Sequence, residues 1–294
     1  MKKILLSLAT ASLLFTTNVC AKSSVEVSNE TLKQAKQDAK NSQVELVKEA
    51  VTSLMLTNKV LEDLDKKDSK TAIKDLEDAI GKLEVILASE KVPTQLVVDS
   101  KVVAIEYLGD SSKIKKDLDF VKNLLNNGKV QEARMFLNTL QSQINILTVS
   151  IPLASYPDAL KLAAKYLHNK KEAEARTILE TALNTLVEEK IVLPIPILKA
   201  EGLIKAASLI AKNDKNQALK HLDQAKDELK VAQILGYVSK SDTTYKMLSN
   251  SINDIETEIK GKNKAKKLFD ELIDKLKEFK EKAVKTFDKE NKEK

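Results

Sequence analysis

The feature that most constrains this chain is an apolar pattern that recurs four times. The segments KTAIKDLEDAIGKLE, QEARMFLNTLQSQIN, AEARTILETALNTLV and NQALKHLDQAKDELK carry small or apolar residues at spacings of four, three and four. Such spacing places the residues on one face of a helix, so each segment is predicted to be a helix that buries one side. The residues are Ala72, Leu76, Ala79 and Leu83; Ala133, Leu137, Leu140 and Ile144; Ala175, Leu179, Ala182 and Leu186; and Ala218, Leu222, Ala225 and Leu229.

Each of these helices follows a polar turn and another amphipathic run, and the two together predict a helical hairpin. The turns are LDKKDSK, LNNGKV, LHNKKE and AKNDKN, and the preceding runs cover residues 51–64, 114–125, 159–167 and 198–211. The hairpins are spaced more widely and less evenly than the repeat of about 34 residues in tetratricopeptide proteins. The predicted fold class is therefore mainly α, an irregular bundle of helical hairpins.

The connections between hairpins contain all five prolines and many β-branched residues. VPTQLVVDSKVVAIEYLG, NILTVSIPLASYPD and EEKIVLPIPIL are expected to be short strands or extended crossovers. Pro194 and Pro196 would remove N–H donors from one edge of a strand, and Pro152 would do the same in its own segment. We expect the last two segments to pair as a two-stranded β element, with residues 188–198 extended rather than helical.

The N-terminus, MKKILLSLATASLLFTTNVCAKSS, has the pattern of a secretory signal peptide over residues 1–21. Its apolar run is shorter than the roughly 20 residues that a membrane-spanning helix needs. Cys20, the only cysteine, offers the alternative of a lipoprotein, but the residues before it fit lipoprotein cleavage poorly. The sequence therefore favours export to the periplasm and cleavage after Ala21, with an N-terminal segment at residues 22–42.

The positive charge is concentrated at the two ends of the chain. The formal net charge is +6, and it comes from Lys2, Lys3 and the Lys-rich residues 257–294, so the body between is neutral. A neutral body without an Arg cluster argues against nucleic acid as a partner.

Residues 261–294 are expected to form a Lys-rich amphipathic C-terminal helix. Its apolar seam contains Phe269, Leu272, Leu276 and Phe279. Acidic residues alternate with the lysines, which favours packing on the chain itself or on another subunit over a membrane surface. These four residues, together with Pro194, Ile195 and Pro196, form the predicted interaction surface.

The residue types needed for catalysis are scarce. His168 and His221 are the only histidines, and both are expected to be ordinary surface or boundary residues. The sequence has no zinc-binding motif, no nucleophile elbow and no glycine-rich phosphate loop. We therefore expect a non-enzymatic protein, with no catalytic, metal-binding or cofactor-binding residues.

Over residues 41–256 the chain resembles the YfdX family of exported proteins of Gram-negative bacteria. The resemblance lies in the signal peptide, the hairpin helices AEARTILETALNTLVEE and NQALKHLDQAKDELKVAQ, and the stretches IPLASYPDALKLA and EEKIVLPIPILKAEGLIKAA. It implies a periplasmic, mostly helical domain, here at residues 43–260, with a small β element, self-association and a connection to stress responses. It implies no catalytic residues.

Three functions remain open from the sequence. The first is a stress-associated binding or chaperone-like protein for a protein client or a small apolar ligand. The second is a self-assembling structural protein of the envelope, and the third is a hydrolase that uses carboxylates alone. A homo-oligomer is expected.

Overall fold

The computed structural model is mainly helical and contains one small sheet, which confirms the predicted mainly-α class. It describes residues 22–41, 47–89, 93–238, 243–261 and 265–290, with side chains omitted at 243–244 and 279–290. The predicted signal peptide, including Cys20, lies outside the described residues. Within the described ranges, no helix combines the length and apolar character needed to cross a membrane.

Eleven helices lie in the described ranges. They are α1 (Ser24–Asn41), α2 (Lys48–Asp65), α3 (Ser69–Leu87), α4 (Ser111–Asn126), α5 (Val130–Thr139), α6 (Tyr156–His168), α7 (Glu172–Asn184), α8 (Ile195–Ile210), α9 (Lys215–Ile234), α10 (Thr243–Lys260) and α11 (Lys266–Glu290). The four predicted hairpins correspond to α2 with α3, α4 with α5, α6 with α7, and α8 with α9. The two helices of each pair contact each other.

Aspartate side chains define where three of these helices begin. Asp68, Asp110 and Asp214 each accept a hydrogen bond from the backbone N–H three residues later, at the start of α3, α4 and α9. This capping satisfies a donor that the helix itself leaves unpaired. The polar turns of the sequence therefore also fix the first turn of the second helix in two of the hairpins.

The sheet has three strands, so the prediction of a two-stranded element is wrong. The strands are β1 (Gln95–Ile105), β2 (Gln143–Pro152) and β3 (Val187–Pro194), in the antiparallel order β1-β2-β3. Pro152 is the last residue of the central strand β2. Because its missing N–H is at the strand end, the other residues of β2 can pair on both edges. The third strand is β1, one of the segments expected to be extended.

The stretch expected to be extended through Leu198 becomes helical at Ile195, which corrects the prediction for PIPIL. Pro194 is the N-cap residue with an extended backbone, and Pro196 lies in the first turn of α8. The first N–H groups of a helix have no partner within it, and a proline there also has a suitable φ. The two prolines thus mark a direct transition from strand to helix.

The chain divides into two compact units, and each has its own core. One unit comprises residues 43–101 and 146–190 and contains α2, α3, α6 and α7. Its core is built from the apolar faces of these four helices together with Leu96, Val98 and Ile151 from the strands. Tyr156 is the largest fully buried side chain in it.

The other unit comprises the described residues within 22–41, 102–145 and 191–290 and contains α1, α4, α5 and α8–α11. Helix α8 lies at its centre, since twelve of its residues are buried. Helices α1, α9 and α11 pack on α8. Gly202 provides the closest approach to α1, because a Cβ at this position would lie 2.1 Å from Oγ1 of Thr31.

Candidate functional site

The proline-containing part of the predicted interaction surface is buried. Pro194, Ile195 and Pro196 all lie in the core, where the N–H of Ile195 donates to the carbonyl of Ser142 at 2.9 Å. The Ser142 N–H in turn donates to the hydroxyl of Tyr237 at 2.8 Å. These contacts anchor the junction of β3 and α8 inside the protein.

The C-terminal part of that surface is also buried within the chain. Phe269, Leu272 and Leu276 of α11 are fully buried in the core formed with α8, α9 and α10. Phe279 belongs to α11, but its side chain lies outside the described ones. None of the described side chains predicted here offers exposed area in this structure, and their contact with a partner stays a prediction.

The two histidines lie in different surroundings. His168 Nε2 is 3.1 Å from Oε1 of Glu77, and both side chains are more than half exposed. His221 is fully buried, contrary to the surface or boundary position expected for it. Its Nδ1 lies 2.9 Å from Oγ of Ser24, and burial lowers the pKa of the imidazole. Among the described residues, no cluster of His, Cys, Asp and Glu suited to a metal ion is present.

The most unusual surface of the described chain is on the hairpin of α4 and α5. Six large apolar side chains there are between 42% and 64% exposed. We call them the hairpin surface: Phe120, Leu125, Val130, Met135, Phe136 and Leu137. Phe120 and Phe136 contact edge to face, with ring centroids 4.9 Å apart.

The hairpin has little core of its own to cover these side chains. Val121, Leu124 and Ala133 form a small buried cluster between its helices, with Leu140 packed beside them. Clusters of exposed apolar side chains on a protein surface commonly mark sites of interaction. The hairpin surface is therefore a candidate site of interaction.

Polar contacts attach the start of the hairpin to α9. Asp227 accepts hydrogen bonds from both the N–H and the hydroxyl of Ser111, the first residue of α4. The neighbouring Glu228 is largely shielded from water, and this desolvation raises its carboxyl pKa to about 7. The start of α4 is thus held by the side chain of Asp227.

A second polar cluster lies one turn further along α4. The hydroxyl of Tyr107 donates to Asp117 at 2.7 Å, and the Lys113 ammonium lies 2.9 Å from the same carboxylate. Lys113 also lies over the Tyr107 ring, 4.9 Å from its centroid. Hydrogen bonds to Tyr107 and Asp117 raise the Lys113 pKa to about 12, and the hydrogen bonds that Asp117 accepts from Tyr107 and Lys113 lower its own pKa. The base of the hairpin is therefore held by charged groups, whereas its outer side chains are apolar.

The sequence pattern pointed to this hairpin without revealing its exposure. The predicted apolar face ran from Ala133 to Ile144, but α5 ends at Thr139 and Ile144 belongs to β2. Leu137 is therefore on a short helix and is 42% exposed. A usable signal was Phe136, because it does not fall on the predicted buried face of its helix.

The chain was compared with known families and proteins. Residues 53–192 match the family model YfdX, described as YfdX protein. This part of the chain is similar to the YfdX family. A solved structure of Salmonella Typhi YfdX is 12% identical, covering 51% of this chain and 93% of that chain, with a TM-score of 0.37. No curated protein matches the chain.

The YfdX match confirms the resemblance found in the sequence and contains the whole α4–α5 hairpin. It ends within β3, so α1 and α8–α11 lie outside it. The prediction that a single domain spans residues 43–260 stays a prediction.

Proposed function

We propose that this YfdX-like protein is a non-enzymatic, chaperone-like binding protein that holds partly unfolded protein clients on the hairpin surface. The observation that carries the proposal is the exposed edge-to-face pair of Phe120 and Phe136 on a hairpin with a small internal core cluster. When a client segment with exposed apolar side chains binds there, apolar surface of the client and of the hairpin is removed from water, which favours binding.

The chemistry of the hairpin surface suits variable clients. Met135 is unbranched and adaptable, and the two phenylalanines offer large apolar faces that accept many side-chain shapes. Charges of both signs surround them on α4 and α5, including Lys122 with Asp119 at 3.1 Å. Such a rim keeps the surface soluble while it selects no particular charge on the client.

Export to the periplasm is part of the proposal and rests on the N-terminal pattern. A protein that binds unfolded clients there would act without a chemical step, in agreement with the exposed position of His168 and the buried position of His221. Participation in a stress response follows from the family resemblance and belongs to the same proposal.

Suppression of client aggregation tests the proposal. Light scattering of reduced insulin is followed with and without the protein, and we expect the protein to lower the scattering in a dose-dependent way. The variant Phe120→Ser/Phe136→Ser should lose most of this effect, because it removes the exposed aromatic pair.

The matched control is Met55→Ser/Val85→Ser, which removes two apolar side chains that are 67% and 66% exposed on α2 and α3. It should retain full suppression. Equal suppression by the phenylalanine variant and the control would overturn the proposal. Light scattering of the protein without a client tests self-assembly. If the hairpin surface joins two copies of the chain, the phenylalanine variant should have a lower molar mass in solution than the parent protein.

A further inference from the structure

A second site lies on α1, outside the YfdX match and independent of the hairpin surface. Five polar residues of this helix, Asn29, Lys33, Lys36, Gln37 and Lys40, follow each other at helical spacing and line one side of a cleft. The cleft has a volume of about 430 Å³. This size lies within the range of small-molecule sites, roughly 300–1,000 Å³. We call it the α1 cleft.

The opposite wall of the α1 cleft is Glu106, which follows β1. Its carboxylate is already occupied, since Oε1 lies 2.8 Å from the Lys199 ammonium and Oε2 lies 3.9 Å from that of Lys36. Lys199 is mostly buried and holds the carboxylate in place. Glu106 therefore neutralises charge at one end of the cleft only.

Two ammonium groups of the cleft have no acidic partner among the described residues. They belong to Lys33 and Lys40, both exposed and both directed along the same side of α1 as Lys36. Like charges at this helical spacing repel one another. An anion in the cleft would relieve that repulsion.

The acidic residues of α1 do not serve this purpose, because each has another contact. Glu30 pairs with Lys22 at 2.7 Å, Glu26 accepts hydrogen bonds from Ser23, and Asp38 accepts one from Gln34. None of the three lines the cleft. Three lysines and one glutamate leave the lining with an excess of two positive charges.

The remaining lining residues are suited to a small polar ligand. The side-chain amides of Asn29 and Gln37 can both donate and accept hydrogen bonds. Leu32 adds a small apolar area at the edge of the buried face of α1. The ammonium group of lysine binds carboxylate and phosphate oxygens as a compact point charge.

We propose that the α1 cleft binds a small dianion whose charges are carried by carboxylate or phosphate oxygens. The ligand sits between Lys33, Lys36 and Lys40, with the two amides contacting its polar atoms. Glu106, held by Lys199, forms the opposite wall.

Calorimetric titration of the full chain at pH 8 tests the site with succinate and inorganic phosphate as separate probes. We expect saturable binding of at least one of them with a Kd below ~1 mM, weakened by high salt. Tighter binding of succinate identifies a dicarboxylate site, and tighter binding of phosphate identifies a phosphate site. The uncharged 1,4-butanediol should not bind.

The variant Lys33→Gln/Lys40→Gln should weaken binding by about tenfold or more, because it removes the two unpaired charges. Lys74→Gln/Lys82→Gln on α3 is the matched control with the same change of charge and should bind as the parent protein does. In NMR spectra the side-chain amide signals of Asn29 and Gln37 should shift on titration. No saturable binding of either probe, or equal affinity in the two variants, would overturn the proposal.

Discussion

Gly202 and Thr31 meet where helices α8 and α1 come closest, and a Cβ on Gly202 would lie 2.1 Å from the Thr31 hydroxyl oxygen. Both residues are buried, and the Thr31 hydroxyl donates to the Val27 carbonyl of its own helix at 2.8 Å. The position of α1 on the core therefore depends on the absence of a side chain at residue 202. The α1 cleft depends on the same contact, since its lysines belong to α1.

Gly202→Ala should destabilise the protein by about 1–3 kcal/mol, because the added methyl group forces α1 away from α8. Urea unfolding measures the loss. Gly81→Ala is the control: Gly81 lies inside α3 with nothing within 4 Å of a built Cβ. That change should stabilise the protein by roughly 0.5–1 kcal/mol through helix propensity. A Gly202→Ala protein as stable as the Gly81→Ala protein would contradict this account of the contact.

His221 should make the protein less stable in acid. Burial lowers its folded-state pKa below the ordinary value, with a smaller opposing effect of Asp214, and among the described atoms its Nε2 has no hydrogen-bond partner. The unfolded chain thus binds the proton more readily, so stability is present above pH ~6.5 and is lost as the pH falls below it. His221→Gln should reduce the loss of stability between pH 7.5 and 5.5 in urea unfolding. Asn169→Gln, at an exposed site without a titratable group, should leave that loss unchanged.

Glu228 should make the protein less stable at high pH, which is opposite to the effect of His221. Desolvation raises its folded-state pKa to about 7 from 4.5, so the folded protein holds this proton more tightly than the unfolded chain does. The contribution of Glu228 to stability is full below pH ~4.5 and is lost as the pH rises through about 7. Glu228→Gln should therefore stabilise the protein at pH 8.5 by about 2 kcal/mol and have little effect at pH 5.

The control for removing the Glu228 charge is Glu62→Gln, which removes the charge of an exposed side chain on α2. It should change stability little at either pH. If Glu228→Gln gave the same stability difference at pH 5 and pH 8.5, the carboxyl group would not be the titrating group. Because the effects of His221 and Glu228 oppose each other, a pH profile of the parent protein alone cannot separate them.

Asp227→Asn should loosen the start of the α4–α5 hairpin. The carboxylate accepts two hydrogen bonds from Ser111, and the amide replaces one acceptor oxygen with a donor. We expect faster hydrogen exchange in residues 111–139, with a loss of about 1–2 kcal/mol in stability. Asp223→Asn, at an exposed site on the same helix, is the control. Unchanged exchange in the hairpin of the Asp227 variant would show that this contact does not fix it.

The sequence predicted the helical part of the fold because helix periodicity is local. Ala175, Leu179 and Ala182 recur at the spacing of a buried helix face, and all three are buried. The pairing of β1 into the sheet and the helical start at Ile195 were missed for a different reason. Strand pairing joins distant segments, and a proline in PIPIL fits both a strand edge and the first turn of a helix.

Periodicity also shows which face of a helix is apolar without showing how much of it is covered. Leu137 and Leu179 hold the same position in the repeated pattern, yet Leu137 is 42% exposed and Leu179 is 0% exposed. The difference lies in the neighbours, since α7 packs on α6 and α2 whereas the α5 face meets only the short hairpin core. The hairpin surface was therefore not predictable from its own residues. The α1 cleft was missed because its wall, Glu106, is far from α1 in the chain.

The strand β3 ends at Pro194 and the helix α8 begins at Ile195, with no residue between them. One inserted residue at this point would turn α8 by about 100° and carry buried positions such as Leu203 toward a different neighbour. A deletion would turn the helix equally far in the other sense. Homologous chains that differ in length should therefore place their insertions in the polar turns, such as residues 66–68, and keep the length of the chain from β3 into α8 constant.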